Sequence, residues 1–167
     1  MIFLKIRDVK RPQRKAGDAG IDFFVPEKND KFIEDLKEAN KEKELKLEND
    51  QIILEPNKDV LIPSGIKSKF GNNLALIAFN KSGVAVKKNL ICGACVIDSS
   101  YQGEIHLHMI NVGNETQVVN FGEKILQFIP IKIENEPINV KEDVPEDEFY
   151  TTKTDRGAGG FGSTGVN

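Results

Sequence analysis

The chain has 167 residues, a length that suits one domain able to bury its own core without disulfide or metal staples. With 29% charged residues and a formal net charge of −3, it has no general attraction for polyanions, which excludes bulk nucleic acid as a partner but not an anionic small molecule held by local cations and backbone amides. No run approaches the roughly 18 to 20 apolar residues of a membrane span, and Met1-Ile2-Phe3-Leu4 is too short for a signal-peptide core; with only Cys92 and Cys95 and no disulfide framework, the expectation is a cytoplasmic protein.

Leu4 to Val9 reads as a short strand, followed by a basic, glycine-containing stretch from Arg11 to Gly20 and a second strand from Ile21 to Val25. Between Pro26 and Asp50 the pattern changes. Phe32, Ile33, Leu36 and Ala39 fall at helical spacing among lysines and glutamates, and Glu44–Glu48, an Asn49-Asp50 turn and Gln51–Glu55 predict a hairpin. Strands are then predicted at Asp59–Ile62, Gly65–Phe70, Leu74–Phe79, Leu90–Ile97, Glu104–Ile110, Val118–Phe121 and Ile125–Ile133, with helix confined mainly to 31–43. Many short strands between Gly, Pro and Asn turns predict an all-β sandwich, jelly roll or barrel. The acidic stretch 134–155, with Pro137 and Pro145, reads as an extended arm, and 156–167 as a flexible tail with five glycines between Arg156 and Gly165.

That tail sets Arg156, Phe161 and the Ser163-Thr164 pair among glycines whose amides can approach an anion closely, so it could fold over a nucleotide; the alternative is a terminus without order of its own. Val96-Ile97-Asp98-Ser99-Ser100-Tyr101-Gln102-Gly103 places a carboxylate at a strand end, where it can orient and deprotonate water, against the alternative of a turn-forming Asp that caps its own loop. Lys81-Ser82-Gly83 offers a cation, a hydroxyl and an accessible amide to a phosphate, or is simply a turn. Cys92-Gly93-Ala94-Cys95 has the spacing of a redox or metal pair without a second pair to support it, and small strand residues are the favoured reading. Glu104, His106 and His108 share one face of a strand and could ligate a metal, but a polar strand face explains them more simply.

Taken together these segments resemble the five ordered motifs of the trimeric dUTPase family: Ala19-Gly20-Ile21-Asp22, Lys81-Ser82-Gly83-Val84-Ala85, Gly93 to Glu104, Gly122-Glu123-Lys124-Ile125-Leu126-Gln127, and the tail from Arg156 to Gly165. The resemblance implies a jelly-roll-like β-barrel subunit over 1–133 and a homotrimer whose sites draw on more than one chain. It implies hydrolysis of dUTP to dUMP and pyrophosphate, which keeps uracil out of DNA and supplies dUMP for dTMP synthesis. In that reading Asp98 activates water for attack on the α-phosphorus. Backbone groups of Ala94, Val96 and Ile97 read the uracil, and Tyr101 packs on the deoxyribose. Lys81, Ser82, Gly83 and Gln127 serve the phosphate region, Arg156 adds a cation, Phe161 stacks on the base, and Gly162, Ser163 and Thr164 clasp the γ-phosphate. Mg²⁺ is implied as cofactor, held by the triphosphate and waters with no direct protein ligand, and Asp22 is a possible support for that region.

Three features depart from the family pattern: Lys81 stands where Arg is usual, Cys95 where Gly is usual, and residues 27–50 form an insertion expected as a helix and hairpin on the surface. The competing readings are a dCTP deaminase-type relative and a nucleotide-gated regulatory module that docks a protein partner through the insertion.

Overall fold

The computed structural model describes residues 1–155 and 157–159. Residues 1–135 form one compact unit, and the described residues from 136 onward belong to a second.

In chain order the elements are β1 (Ile2–Lys5), β2 (Ile21–Phe24), α1 (Asp30–Ala39), β3 (Lys46–Glu48), β4 (Gln51–Leu54), β5 (Asp59–Pro63), β6 (Ile66–Lys69), β7 (Leu74–Asn80), α2 (Ser82–Lys88), β8 (Leu90–Cys92), β9 (Val96–Ile97), β10 (His106–Asn111), β11 (Gln117–Asn120), β12 (Lys124–Lys132) and α3 (Glu146–Phe149). The all-β expectation is met. The strands form four antiparallel sheets ordered β1-β6, β5-β10-β8, β11-β4-β3 and β2-β12-β7-β9. Alternation places Leu107 and Met109 of β10, and Leu126 and Phe128 of β12, in a single core with Phe23, Ile52, Ile62 and Leu76, while the residues between them face outward or are half-buried.

Four expectations are corrected. β1 ends at Lys5 rather than Val9, because its partner β6 begins at Ile66, where Gly65 turns the chain with φ +76°. Leu90 to Ile97 is not one strand. β8 pairs with β10 in one sheet, β9 pairs with β7 in another, and Gly93, Ala94 and Cys95 carry the chain across. Lys81-Ser82-Gly83 is not a turn but the start of α2, whose Val84 and Val86 hid the helix behind β-branched side chains. In the second unit, the segment expected to be extended contains the short helix α3, all of it exposed.

The inserted helix is also more than a surface feature. Asn29 caps it by accepting from the Phe32 N–H at 2.9 Å, and its apolar stripe delivers Phe32 and Leu36 to the core at 1% and 0% exposure. Phe32 meets Phe121 edge-on at 5.9 Å. At the helix end the buried Asn40 amide donates to the carbonyls of Leu36 and Leu61, both at 2.8 Å, and accepts from the Leu61 N–H at 2.9 Å, locking the insertion to β5. Phe32→Ala should therefore cost about 3 to 5 kcal/mol in chemical denaturation, as for a buried core aromatic; a loss below about 1 kcal/mol would mean that the helix is peripheral to stability.

Candidate active site

The residues singled out by sequence gather around opposite ends of β7. Toward its C-terminal end, β12 lies between β2 and β7, so that Gln127 faces Asp22 on one side and Phe79 on the other. The Gln127 Nε2 donates to the Asn80 carbonyl at 2.9 Å, and its side chain crosses Gly20, where a Cβ would stand 2.1 Å from Oε1. A Cβ there would push the Gln127 amide out of this position. The Asp22 carboxylate pairs with Lys81 and, at 2.8 Å, with Lys124. Burial alone raises the Asp22 pKa, but hydrogen bonds from Lys124 and Lys81 outweigh it and hold the carboxyl below its ordinary range. Lys81 leads into α2, whose first amides have no partner within a helix, and Ser82 and Gly83 there are exposed. A Cβ on Gly83 would meet nothing within 4 Å, so no packing within this chain demands glycine at that position and space is left for a ligand's approach.

Toward the other end of β7, the chain leaves the β5-β10-β8 sheet, makes the short rung β9 and returns to β10. β9 is an edge strand, so among the described residues its outward N–H and C=O groups have no neighbouring strand. Val96 is exposed and Ile97 half-buried. The turn that follows is closed by the Tyr101 N–H donating to the Asp98 carbonyl at 3.1 Å. Asp98 itself is exposed, and among the described residues none bonds its carboxylate, so it is the backbone rather than the side chain that makes the turn. Tyr101 donates its hydroxyl to the Glu104 carbonyl at 2.8 Å and lies over Gly103, where a Cβ would approach Oη to 2.3 Å. An open groove of about 500 Å³ beside this turn is lined by Ile2, Leu4, Lys67, Lys69, Ser99 and Tyr101, and its two lysines make it basic.

The turn is anchored from behind. The Glu104 carboxylate accepts from Arg7 Nε at 2.8 Å, Arg7 Nη2 at 2.7 Å and the Gly65 N–H at 2.6 Å, while Arg7 Nη1 reaches Asp35 of α1. The hydrogen bond to Glu104 and the two carboxylates raise the Arg7 pKa against the effect of burial. Neither Arg7 nor Asp35 carried a signal in the sequence, and the same is true of Asn80; Lys124 lay within the fourth motif but was given no role. The Asn80 Oδ1 accepts from the Cys92 N–H at 2.6 Å and so ties the end of β7 to the start of the crossing.

Other residues are accounted for more simply. Among the described residues, no three His, Cys, Asp or Glu side chains converge as metal ligands. Glu104 serves Arg7, His106 Nδ1 contacts the Glu104 carbonyl at 2.9 Å, and His108 lies between Ala94 and Asp59. Burial, with a smaller effect from Cys95, pushes the Cys92 thiol up to about 11, which suits an inert strand residue. The Ala94 N–H, expected to read a base, is donated to His108 instead. Arg156, Phe161, Gly162, Ser163 and Thr164 lie outside the described residues.

The two groups do not meet in one chain. Ile97 lies opposite Leu76, four residues from Asn80, and the antiparallel register carries Asp98 further away still; at about 3.3 Å per residue, more than about 13 Å separates Asp98 from the Lys81 group.

Residues 44–165 match the family model described as dUTPase. The chain belongs to the dUTPase family. The match begins after α1 and leaves Gly20 and Asp22 outside it. Among curated relatives, a deoxyuridine 5'-triphosphate nucleotidohydrolase of Desulfitobacterium hafniense is 37% identical over 126 residues, covering 70% of this chain and 75% of that one, and one of Aromatoleum aromaticum is 35% identical over 120 residues, covering 70% and 76%. Among solved structures, a dUTPase of Staphylococcus bacteriophage 80alpha superposes with TM-score 0.74 at 18% identity, covering 99% of this chain and 98% of that one; that of Streptococcus mutans gives 0.59 at 23%, covering 81% and 98%. These likenesses establish the dUTPase fold.

The Asp22 pairs make a prediction about pH. A carboxylate whose folded pKa is depressed stabilises above its unfolded value, near 3.9, and loses that contribution as pH falls through the lower folded value. Native protein and Asp22→Asn should therefore differ in denaturation midpoint by a constant amount from neutral pH down to about pH 4, and converge below it. A gap that closes between about pH 7 and pH 5 would contradict the pairing.

Proposed function

We propose that this dUTPase hydrolyses dUTP to dUMP and pyrophosphate, with Asp98 as the base that activates water. The observation that carries the reading is the exposed Asp98 carboxylate, free of other bonds among the described residues, at the end of an open-edge strand. A carboxylate so placed can accept a proton from a water as that water's oxygen bonds the α-phosphorus and the bond to the bridging oxygen of the pyrophosphate breaks. The outward backbone of Val96 and Ile97 offers donors and acceptors for the polar edge of uracil. Tyr101, held by Glu104, supplies an apolar face for the deoxyribose. Ser82 and Gly83, at the start of α2, and Lys81 suit the triphosphate, and Gln127 completes that side. Arg156, Phe161, Gly162, Ser163 and Thr164 would close over the nucleotide as cation, stacking ring and phosphate clasp. The product chemistry keeps uracil out of DNA and furnishes dUMP for dTMP synthesis.

Mg²⁺ suits this arrangement as a metal that arrives on the nucleotide, because it keeps several waters and takes one or two carboxylates plus phosphates rather than a protein cage. When bound it would neutralise the phosphate oxygens and the leaving pyrophosphate. Asp22, held by Lys81 and Lys124, would support the phosphate region through those cations rather than bind metal.

The separation of Asp98 from the Lys81 group supports a homotrimer in which neighbouring subunits each contribute one end of β7 to a shared site. We place the protein in the cytoplasm, a reading supported by the free thiols Cys92 and Cys95; among the described residues no helix is long and apolar enough to cross a membrane. The alternative of a nucleotide-gated module that docks a partner through the insertion loses its apolar stripe, since Phe32 and Leu36 are buried in the chain's own core.

Pyrophosphate release from dUTP with Mg²⁺ tests the reading. Asp98→Asn should lower kcat by about 10²- to 10⁴-fold, with dTTP, UTP and dCTP poor substrates throughout. Ammonia release from dCTP would instead identify a deaminase. Shared sites make a second expectation. Asp98→Asn and Lys81→Ala, each nearly inactive alone, should regain part of the native rate when co-refolded, and light scattering should report three chains; no regain, or a single-chain mass, would place each site within one subunit.

A further inference from the structure

The strand face bearing Glu104, His106 and His108 contains one side chain that the proposed reaction leaves unused. The His108 ring stands against the chain where it crosses from β8 to β9. The Ala94 N–H donates to His108 Nδ1 at 2.8 Å, and the Gly93 N–H donates to the His108 carbonyl at 3.0 Å. The fit is close. A Cβ on Gly93 would stand 2.3 Å from Nδ1, so this crossing can approach the ring only as glycine. On the other side, Nε2 lies 2.6 Å from Asp59 Oδ2 of β5, and the Asp59 carboxylate is also held by Lys43, from the insertion.

These contacts fix the state of the ring. Nδ1 accepts from a backbone N–H and must carry a lone pair, so the proton is on Nε2, where the Asp59 carboxylate accepts it. Burial raises the Asp59 pKa, but the hydrogen bonds from Lys43 and His108 outweigh this and keep the carboxyl low, so it remains an acceptor at neutral pH. A ring protonated on both nitrogens would turn an N–H toward the Ala94 N–H and lose the bond.

We propose that His108 is a positioning residue for base recognition: it holds the Gly93–Cys95 crossing so that the outward backbone of β9 meets the uracil, and Asp59 sets the ring tautomer that makes this possible. The proposal rests on the reading that this hairpin takes the base. It assigns His108 no part in the chemical step. The charged groups facing the ring are Asp59 from β5 and, through it, Lys43; β8 contributes the Cys92 thiol next to Gly93, and β10 itself carries His106, engaged with the Glu104 carbonyl.

The test uses the full chain and two readouts, binding of a non-hydrolysable dUTP analogue by calorimetry and kcat for dUTP. His108→Leu removes the acceptor and should weaken the analogue about tenfold, the scale of one backbone N–H left without its partner, while kcat stays within about twofold. His108→Asn, whose amide oxygen can stand near the position of Nδ1, should recover most of that affinity. Asp59→Ala, which removes the acceptor that selects the ring tautomer, should also weaken the analogue several-fold while kcat is kept. Unchanged affinity in His108→Leu, or a loss confined to kcat, overturns the proposal. Should His108→Leu fail to fold by thermal melting, Asp59→Ala decides, and unchanged affinity in that variant overturns it. Analogue binding without any dUTP turnover would defeat the hydrolase reading while the affinity comparison still judged His108; no binding by the native chain would defeat both.

Discussion

Strand β7 is the constraint on which the arrangement of functional groups depends. Along its length it pairs with β12, which draws Asp22, Lys124 and Gln127 toward the residue where β7 gives way to α2. On its other edge it accepts only the short rung β9, at the far end. Asp98, the proposed water-activating carboxylate, and Lys81 to Gly83, the proposed phosphate-binding group, are thereby held a strand length apart in each chain. Side-chain motion cannot close that gap, because both groups are attached to a seven-residue strand inside a four-stranded sheet. In the proposed homotrimer, that separation within a subunit becomes a meeting between subunits.

The same crossing that creates the open edge of β9 also makes it vulnerable. Three residues pass between two sheets with no regular ladder of their own, and they depend on contacts from outside: Asn80 to the Cys92 N–H, His108 to Gly93 and Ala94, and the Cys95 carbonyl to the Ala78 N–H at 2.7 Å. The following turn depends on Glu104, and Glu104 on Arg7 and the Gly65 amide. Two of these supports reach the inserted segment, through Asp35 and Lys43. The insertion thus packs Phe32 and Leu36 into the core and, through Asp35 and Lys43, braces the residues that support the crossing and the turn after β9.

Much of this was legible before the structure. The alternation in Glu104–Ile110 and Ile125–Ile133 places Leu107, Met109, Leu126 and Phe128 inward because a strand face repeats every two residues, and α1 declares itself through Phe32 and Leu36 at a spacing of four. What escaped has a common physical cause. The run Leu90–Ile97 is apolar enough for one strand, but whether it stays in one sheet depends on partners distant in sequence. α2 is short, glycine-containing and rich in valine, so local preference argued against it and only its place between β7 and β8 makes it a helix. Arg7 meets Glu104 across 97 positions, a pairing no local pattern can announce.

The two single-residue departures from the family pattern, Cys95 and Lys81, acquire a physical meaning from these contacts. At Cys95 the added side chain is accommodated: it packs, partly buried, against the core, and its carbonyl still bonds β7, so the crossing keeps its register without glycine there. The strict requirement falls on Gly93 instead, where His108 leaves no room for a Cβ. At Lys81 the exchange alters how the charge is delivered. A guanidinium could hold a carboxylate and a phosphate at once through its fork, whereas an ammonium engaged by Asp22 presents fewer directed donors to a second anion. Lys124 reduces that disadvantage. By remaining on the half-buried Asp22 carboxylate it would leave Lys81 able to turn toward the triphosphate in the proposed site without stripping Asp22 of its partner.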